Sequence, residues 1–290
     1  MIKSLIKKLT TTQQRVAMKK MRRHFLSHFK KSTKISIHEM RKLLVDDLGV
    51  ERGNRIIVSS SFGNLNADFS PQQLIELLMD ILGDEGVIMM PYYPPMNSTE
   101  WVKTNNVFDM RKTKSGMGIL TNAFSKMPNV IMSCHPTKAV CVWGKRDVVE
   151  EIVKDHDIST TPYYWNSPYG RLLKMGSKSL CLGLKQIPMF HAIEDVVSSD
   201  YTQMYEQGKY KLEIIDLKGQ RKIVETYVHD AKVLEQCMEA GDYVACLPLR
   251  SYKKINCGYK YCICVDNTEV LNVAQVEYAK GNTRYALGKG

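Results

Sequence analysis

Arg55-Ile56-Ile57-Val58 runs into Ser59-Ser60-Ser61-Phe62-Gly63; Ser70-Pro71-Gln72-Gln73 then opens a second segment, and Gly86-Val87-Ile88-Met89-Met90-Pro91 a third. The first and third are short apolar runs without polar alternation, the pattern of strands buried on both faces. Between them Leu74, Leu77, Leu78 and Ile81 recur at helical spacing. Ser70 is a capping residue, Pro71 suits a first helical turn, and Gln73 stands where it can reach back to the cap. Gly83 is placed to stop the helix. A strand, a helix and a strand in this order form a parallel crossover, so the chain reads as α/β.

The pattern continues outward on both sides. Met40, Leu43, Leu44 and Leu48 mark a helix over 37–50, ended by Gly49. Residues 92–118 form a long polar segment with Tyr92, Tyr93, Trp101 and the turn Ser115-Gly116-Met117-Gly118. A connection of that length inside a compact domain is usually functional or mobile. A short helix over 119–124 follows, then Val130-Ile131-Met132, Ser133-Cys134-His135-Pro136 and the strand-like Ala139–Trp143. Beyond them the spacing predicts a helix at 147–154, strands at 179–184, 210–216, 221–227 and 260–265, and a helix at 230–240. With no internal repeat or linker, the expectation is one layered α/β domain over 35–290. A central mixed sheet would be flanked by helices, behind an N-terminal arm over 1–34.

Composition narrows the class. The chain has 290 residues, 44% hydrophobic and 24% charged, ordinary for a soluble globular protein. No apolar run approaches the roughly 20 residues of a spanning helix. The N-terminus lacks the continuous apolar core of a signal peptide. Most of the eight cysteines lie in apolar runs, as reduced thiols of a cytoplasmic protein do. Cys257, Cys262 and Cys264 cluster, but their spacing fits no common zinc module, and no metal is expected. The formal charge of +11 is carried by the arm, where eleven basic residues meet no acidic one. The rest is formally neutral, which gives no reason to expect a nucleic-acid partner. In the arm, Ile2, Leu5, Ile6 and Leu9 form one apolar stripe and Met18, Met21, Phe25 and Phe29 another, separated by Thr10-Thr11-Thr12. Such a segment suits the anionic inner face of a membrane; the same stripes equally suit the body or a second subunit, a homo-oligomer.

The chemistry gathers at the ends of the predicted strands. His135 sits between two of them, where an α/β protein presents side chains to a ligand, and Pro136 biases its backbone away from the helical region. An imidazole can take and return a proton near neutrality; the plain alternative is a loop histidine satisfied by hydrogen bonds. The serine turn after the first strand offers backbone N–H groups to a phosphate or a carbonyl. Gly116 and Gly118 allow close backbone approach, or form an ordinary tight turn.

Val58-Ser59-Ser60-Ser61-Phe62, Leu82–Gly86, Met90-Pro91, Phe108-Asp109 and Gly116–Leu120 stand in one order with Ser133-Cys134-His135-Pro136, Ser167-Pro168, Leu182-Gly183 and Phe190-His191-Ala192-Ile193-Glu194. Through these motifs, over residues 58–194, the chain resembles the aminoglycoside 3-N-acetyltransferase family, which moves an acetyl group from acetyl-coenzyme A to an amine. The resemblance implies an acyl-coenzyme A donor held by Ser59, Ser60, Ser61, Phe62, Gly116, Met117, Gly118 and Ser167. The attacking amine must lose a proton, and His135 is the first candidate base. Glu194 is the first candidate to orient it and Asp195 the second. His191 is the alternative base or a supporting hydrogen-bonding residue. Acceptor contacts are expected from Tyr92, Asp109, Tyr163, Tyr164, Trp165 and Asn166. The chain departs from the family at Met132, where arginine is usual, and at Met189, where a small hydroxyl residue helps hold the acyl carbonyl. The segment before Ser167, acidic in many drug-modifying members, is here Thr160-Thr161-Pro162-Tyr163-Tyr164-Trp165-Asn166. Aromatics suit sugar faces or a base, whereas polycationic drugs need carboxylates. The acceptor expected is therefore an amino sugar, nucleotide-linked, in surface polysaccharide synthesis, with an aminoglycoside as the alternative. From other classes stand a thioester hydrolase using Ser60 or Ser61 with His135, and a non-catalytic membrane-surface protein.

Overall fold

The computed structural model describes residues 34–104, 107–185, 187–233 and 249–282. The apolar stripes of the arm, and all but the start of the helix expected at 230–240, lie outside the described residues.

Ile37–Lys42 (α1) passes into a wider turn at Leu43–Asp47, so the single expected helix is two pieces. Arg55–Ser60 (β1) and Val87–Pro91 (β2) are parallel, with Arg55 opposite Val87. Pro71–Leu82 (α2) crosses between them as the sequence requires. Ser70 Oγ accepts from the Gln73 amide at 3.2 Å, and the Gln73 side chain accepts from the Ser70 amide at 2.8 Å. Two otherwise orphaned donors are thus satisfied at the helix start.

The central sheet has seven strands. Its order is Ile131–Met132 (β4), Val140–Trp143 (β5), β2, β1, Lys178–Leu182 (β6), Lys260–Asp266 (β10) and Tyr252–Cys257 (β9). The three inner strands are parallel; β5 and β10 run against them, which makes the sheet mixed. Ile56, Val58, Ile88 and Met90 face one core with α1 and α2, and with Ile119–Phe124 (α4). Ile57, Val87, Met89, Val140 and Val142 face the other. That second core is closed by Arg146–Val153 (α5), Pro168–Lys174 (α6), Met189–Val197 (α7) and Asn267–Ala279 (α8). Burial on both faces is why the strands read as unbroken apolar runs.

The long polar segment contains a short helix, Ser98–Lys103 (α3), and a strand, Phe108–Asp109 (β3). That strand joins Tyr210–Ile215 (β7) and Arg221–Thr226 (β8) in a separate three-stranded sheet. Phe108, Ile214 and Val224 insert into the first core, so this sheet abuts the main one. Among the described residues no helix is long and apolar enough to cross a membrane.

The carboxyl ends of β1, β2 and β6 come out on one edge. There the Ser61 amide donates to Leu182 O at 2.9 Å, the Tyr92 amide to Ala139 O at 2.7 Å, and the Gly183 amide to Tyr261 O at 3.1 Å. In open α/β sheets this edge is where ligands bind.

Candidate active site

The edge gathers the serine turn, Tyr93, the His135–Lys138 turn and the start of α7. His191 and Glu194 lie three apart on α7, on neighbouring positions of one helix face. His191 is half-buried, and Glu194 is wholly inaccessible. The His191 ring lies 5.6 Å from that of Tyr163 and 5.0 Å from that of His229. His229 is sandwiched between Tyr163, at 5.3 Å and 23°, and Tyr205, at 4.5 Å and 9°. Burial holds the His229 imidazole well below the usual range, helped by the charges of His191 and Lys138.

His135 occupies a different environment. It is 1% exposed. Its Nδ1 accepts from the backbone amides of Thr137 at 3.2 Å and Lys138 at 3.0 Å. That leaves the proton on Nε2, which donates to Thr226 Oγ1 at 3.0 Å, and the Thr226 hydroxyl donates onward to Tyr227 O at 3.2 Å. Burial, then His156 and Lys138, depress its proton affinity far below the ordinary value. Both ring nitrogens are therefore engaged and the neutral form is favoured. Behind it lies His156, 4.5 Å away ring to ring. Ser133 Oγ donates to His156 Nδ1 at 2.8 Å and accepts from the Val140 amide at 2.9 Å. His156 Nε2 donates to Pro162 O at 3.1 Å, and burial lowers its pKa to about 3. His135 and His191 thus stand at opposite ends of one aromatic row through His156, Tyr169 and Tyr163.

Asp195 is spent on neighbouring hydroxyls. Its Oδ2 accepts from Thr161 and Tyr205, while Oδ1 has no partner among the described residues. Burial raises its pKa from 3.8 to about 7. The folded state then binds more protons than the unfolded chain between those values, so this group subtracts stability as pH rises through them. Asp195→Asn should gain melting temperature relative to wild type more at pH 8 than at pH 5, read by thermal unfolding at both. A gain that does not grow with pH would show that Asp195 is ionised in the folded state at both.

Several expected site residues are placed elsewhere. Tyr92 turns to the first core, where its hydroxyl donates to Thr113 O at 2.9 Å, while Tyr93 faces the site. Asp109 is clasped by Arg111 through two bonds of 3.0 Å, which hold its carboxyl well below the usual range. Of the three rings in the aromatic segment, Tyr163 is the one that packs against the histidines. Tyr164 lies 5.5 Å from Tyr201, and Trp165 lies under Lys174 Nζ at 5.2 Å. Asn166 accepts from the Thr160 amide at 3.0 Å, and buried Ser167 caps α6 through the Gly170 amide at 3.2 Å. The cause is local: Gly170 lets α6 press against this segment, and a Cβ there would stand 2.3 Å from Tyr164 O and 2.5 Å from Trp165 Cα. Gly170→Ala should therefore cost about 3 kcal/mol, since backbone cannot give way as a side chain can. An unchanged unfolding midpoint in denaturant would refute this.

The donor region is better assembled. Ser60 Oγ is buried with no partner among the described residues, an unused hydrogen-bonding group at the end of β1. Gly118, at φ +101, passes over the turn, its Cβ position 3.7 Å from Ser60 O. Ser59 lies within 3.8 Å of Cys181 Sγ, and Phe62 packs edge-on to Phe69 at 6.1 Å. Gly116 instead packs on Pro94 and Pro95, and Met117 is exposed, its amide donating to Ser115 Oγ at 3.0 Å. Met189 is buried in the core and Met132 is half-buried, so neither offers a polar contact. An orphaned hydroxyl beside a glycine-bordered turn fits the carbonyl or amide of an acyl-coenzyme A.

Comparisons with known proteins bear on the fold and the family. The family model for aminoglycoside 3-N-acetyltransferase matches residues 57–278. The SPbeta prophage-derived aminoglycoside N(3')-acetyltransferase-like protein YokD of Bacillus subtilis (strain 168) is 27% identical over 169 residues. That match spans 52% of this chain and 60% of the relative. Among solved structures, the aminoglycoside acetyltransferase AAC(3)-IVa apoenzyme superposes with a TM-score of 0.66 at 20% identity, over 89% of this chain and 94% of that one. AAC-VIa bound to sisomicin gives 0.67 at 20% identity, over 86% and 98%. The AAC-IIIb binary complex with CoASH gives 0.62 at 17%, over the same shares. These likenesses show the fold, and the family match covers most of the domain. The chain belongs to the aminoglycoside 3-N-acetyltransferase family.

Proposed function

We propose that the protein transfers an acyl group from acyl-coenzyme A to an amine of an amino-sugar acceptor, with His191 as general base. Family membership supports an aminoglycoside-type acceptor over the nucleotide-linked amino sugar expected from the aromatic segment. The physical reason is that Tyr164, Trp165 and Asn166 are engaged away from the histidines. One observation carries the choice of base: His191 is half-buried one turn from inaccessible Glu194, whereas His135 is 1% exposed. In the reaction the amine nitrogen attacks the thioester carbonyl carbon and the C–S bond breaks. The proton shed by the amine passes through His191 to the departing thiolate. Glu194 stabilises the transient imidazolium, and Ser60 offers a hydrogen bond to the carbonyl oxygen or the pantetheine arm. Incubating the full chain with acetyl-coenzyme A and sisomicin, with product mass read by mass spectrometry, tests this. Expected is a mass gain of one acetyl group matched by thiol release; thiol release without acylated product would instead mark a thioester hydrolase.

A further inference from the structure

Lys138 belongs to no motif that led to the family, yet it stands in the site. Its Nζ lies 4.3 Å from the centroid of the Tyr93 ring and 5.9 Å from that of Tyr163. Tyr163 is also the ring that His191 faces, at 5.6 Å. Tyr93 is itself fixed, its hydroxyl bonded to Tyr169 at 2.7 Å and Tyr163 at 3.1 Å. The backbone of Lys138 is held by the hydrogen bond that its amide donates to His135 Nδ1. Among the described residues no carboxylate pairs with the ammonium, and the two nearby imidazoles, His135 and His229, favour their neutral forms.

We propose that Lys138 is a specificity residue that recognises an anionic group, a carboxylate or phosphate, carried by one of the two reactants close to the reacting amine. This rests on the acyltransferase reading above and narrows its substrate class. A half-buried cation set over ring faces, with no carboxylate partner among the described residues, is poorly compensated, and a substrate anion completes it. Burial alone lowers its pKa to about 8, in keeping with a missing counter-charge. The same ammonium disfavours a fully cationic aminoglycoside, so among amine-bearing sugars of this class one that also carries an acidic substituent is the better acceptor and sisomicin the weaker one. The anion has two sources: the acceptor, or the far end of a dicarboxylic acyl group on the donor.

Two matched pairs separate the sources: glucosamine 6-phosphate against glucosamine, and succinyl-coenzyme A against acetyl-coenzyme A. Each is measured on the full chain as wild type, Lys138→Met, Lys138→Arg and Lys138→Glu. The expected result is a tenfold or larger preference in kcat/KM for the anionic member of one pair. It should fall to about one in Lys138→Met, persist in Lys138→Arg and invert in Lys138→Glu, which should also bind sisomicin more tightly. Which pair responds identifies the source. Equal use of both members of both pairs by wild type would overturn the proposal, as would a preference that survives in Lys138→Met. If no amine is acylated at all, the acyltransferase reading fails. Titration calorimetry then decides Lys138 separately: binding of glucosamine 6-phosphate or of succinyl-coenzyme A weakened tenfold in Lys138→Met supports it, and binding of both that is unchanged in that variant or absent in wild type refutes it.

Discussion

His191→Ala is expected to lower kcat by roughly 10²- to 10⁴-fold, the scale of a positioned base, with little change in melting temperature. The reasoning starts from exposure. A base must reach its substrate, and among the site histidines His135, His156 and His229 are all under 4% exposed while His191 is half-buried. It sits one turn before Glu194, whose carboxylate shares its face of α7. His191 is half-buried at the solvent side of the aromatic row, so removing its imidazole should disturb packing less than removing a core histidine would. Steady-state thiol release and a thermal melt on the same preparation check both halves. Wild-type turnover in this variant would remove His191 from the mechanism.

The second large effect is of the opposite kind. His135→Ala should cost about 3 kcal/mol or more of stability, because it strips the acceptor from two amides inside a closed turn and the donor from Thr226. Each buried group left unpaired costs on the order of 1–3 kcal/mol. In a domain of this size that is a fall in melting temperature on the order of 6–10 °C. His135→Asn, whose amide can both accept and donate, should recover part of it. Full stability in His135→Ala would show that the turn does not depend on these bonds.

The two variants also mark how far the sequence could be read. The crossover was legible because its signals are local: Ser70, Pro71, Gln73 and Gly83 each act within one turn of α2. The buried inner strands followed from the apolar runs of β1, β2 and β6. His191 and Glu194 could be found because their relation is fixed by helical spacing. The partners of His135 could not, since Thr226 lies 91 positions away on β8, in a second sheet whose strand β3 hides in a polar segment. Tyr93 was passed over for Tyr92, although strand alternation from Met90 placed Tyr92 toward the first core. The aromatic segment misled because composition says nothing of direction: the contact of Gly170 with Tyr164 and Trp165 decides where those rings go.

The assignment of the base is tested most directly by chemical rescue. Added imidazole can replace a lost proton acceptor, but it cannot rebuild a turn held by backbone amides. Turnover of His191→Ala, followed by acylated product against imidazole concentration, should rise in a saturable manner toward wild type, while His135→Ala shows no such rise. Restoration of His135→Ala alone would place the base at the other end of the aromatic row and contradict this account.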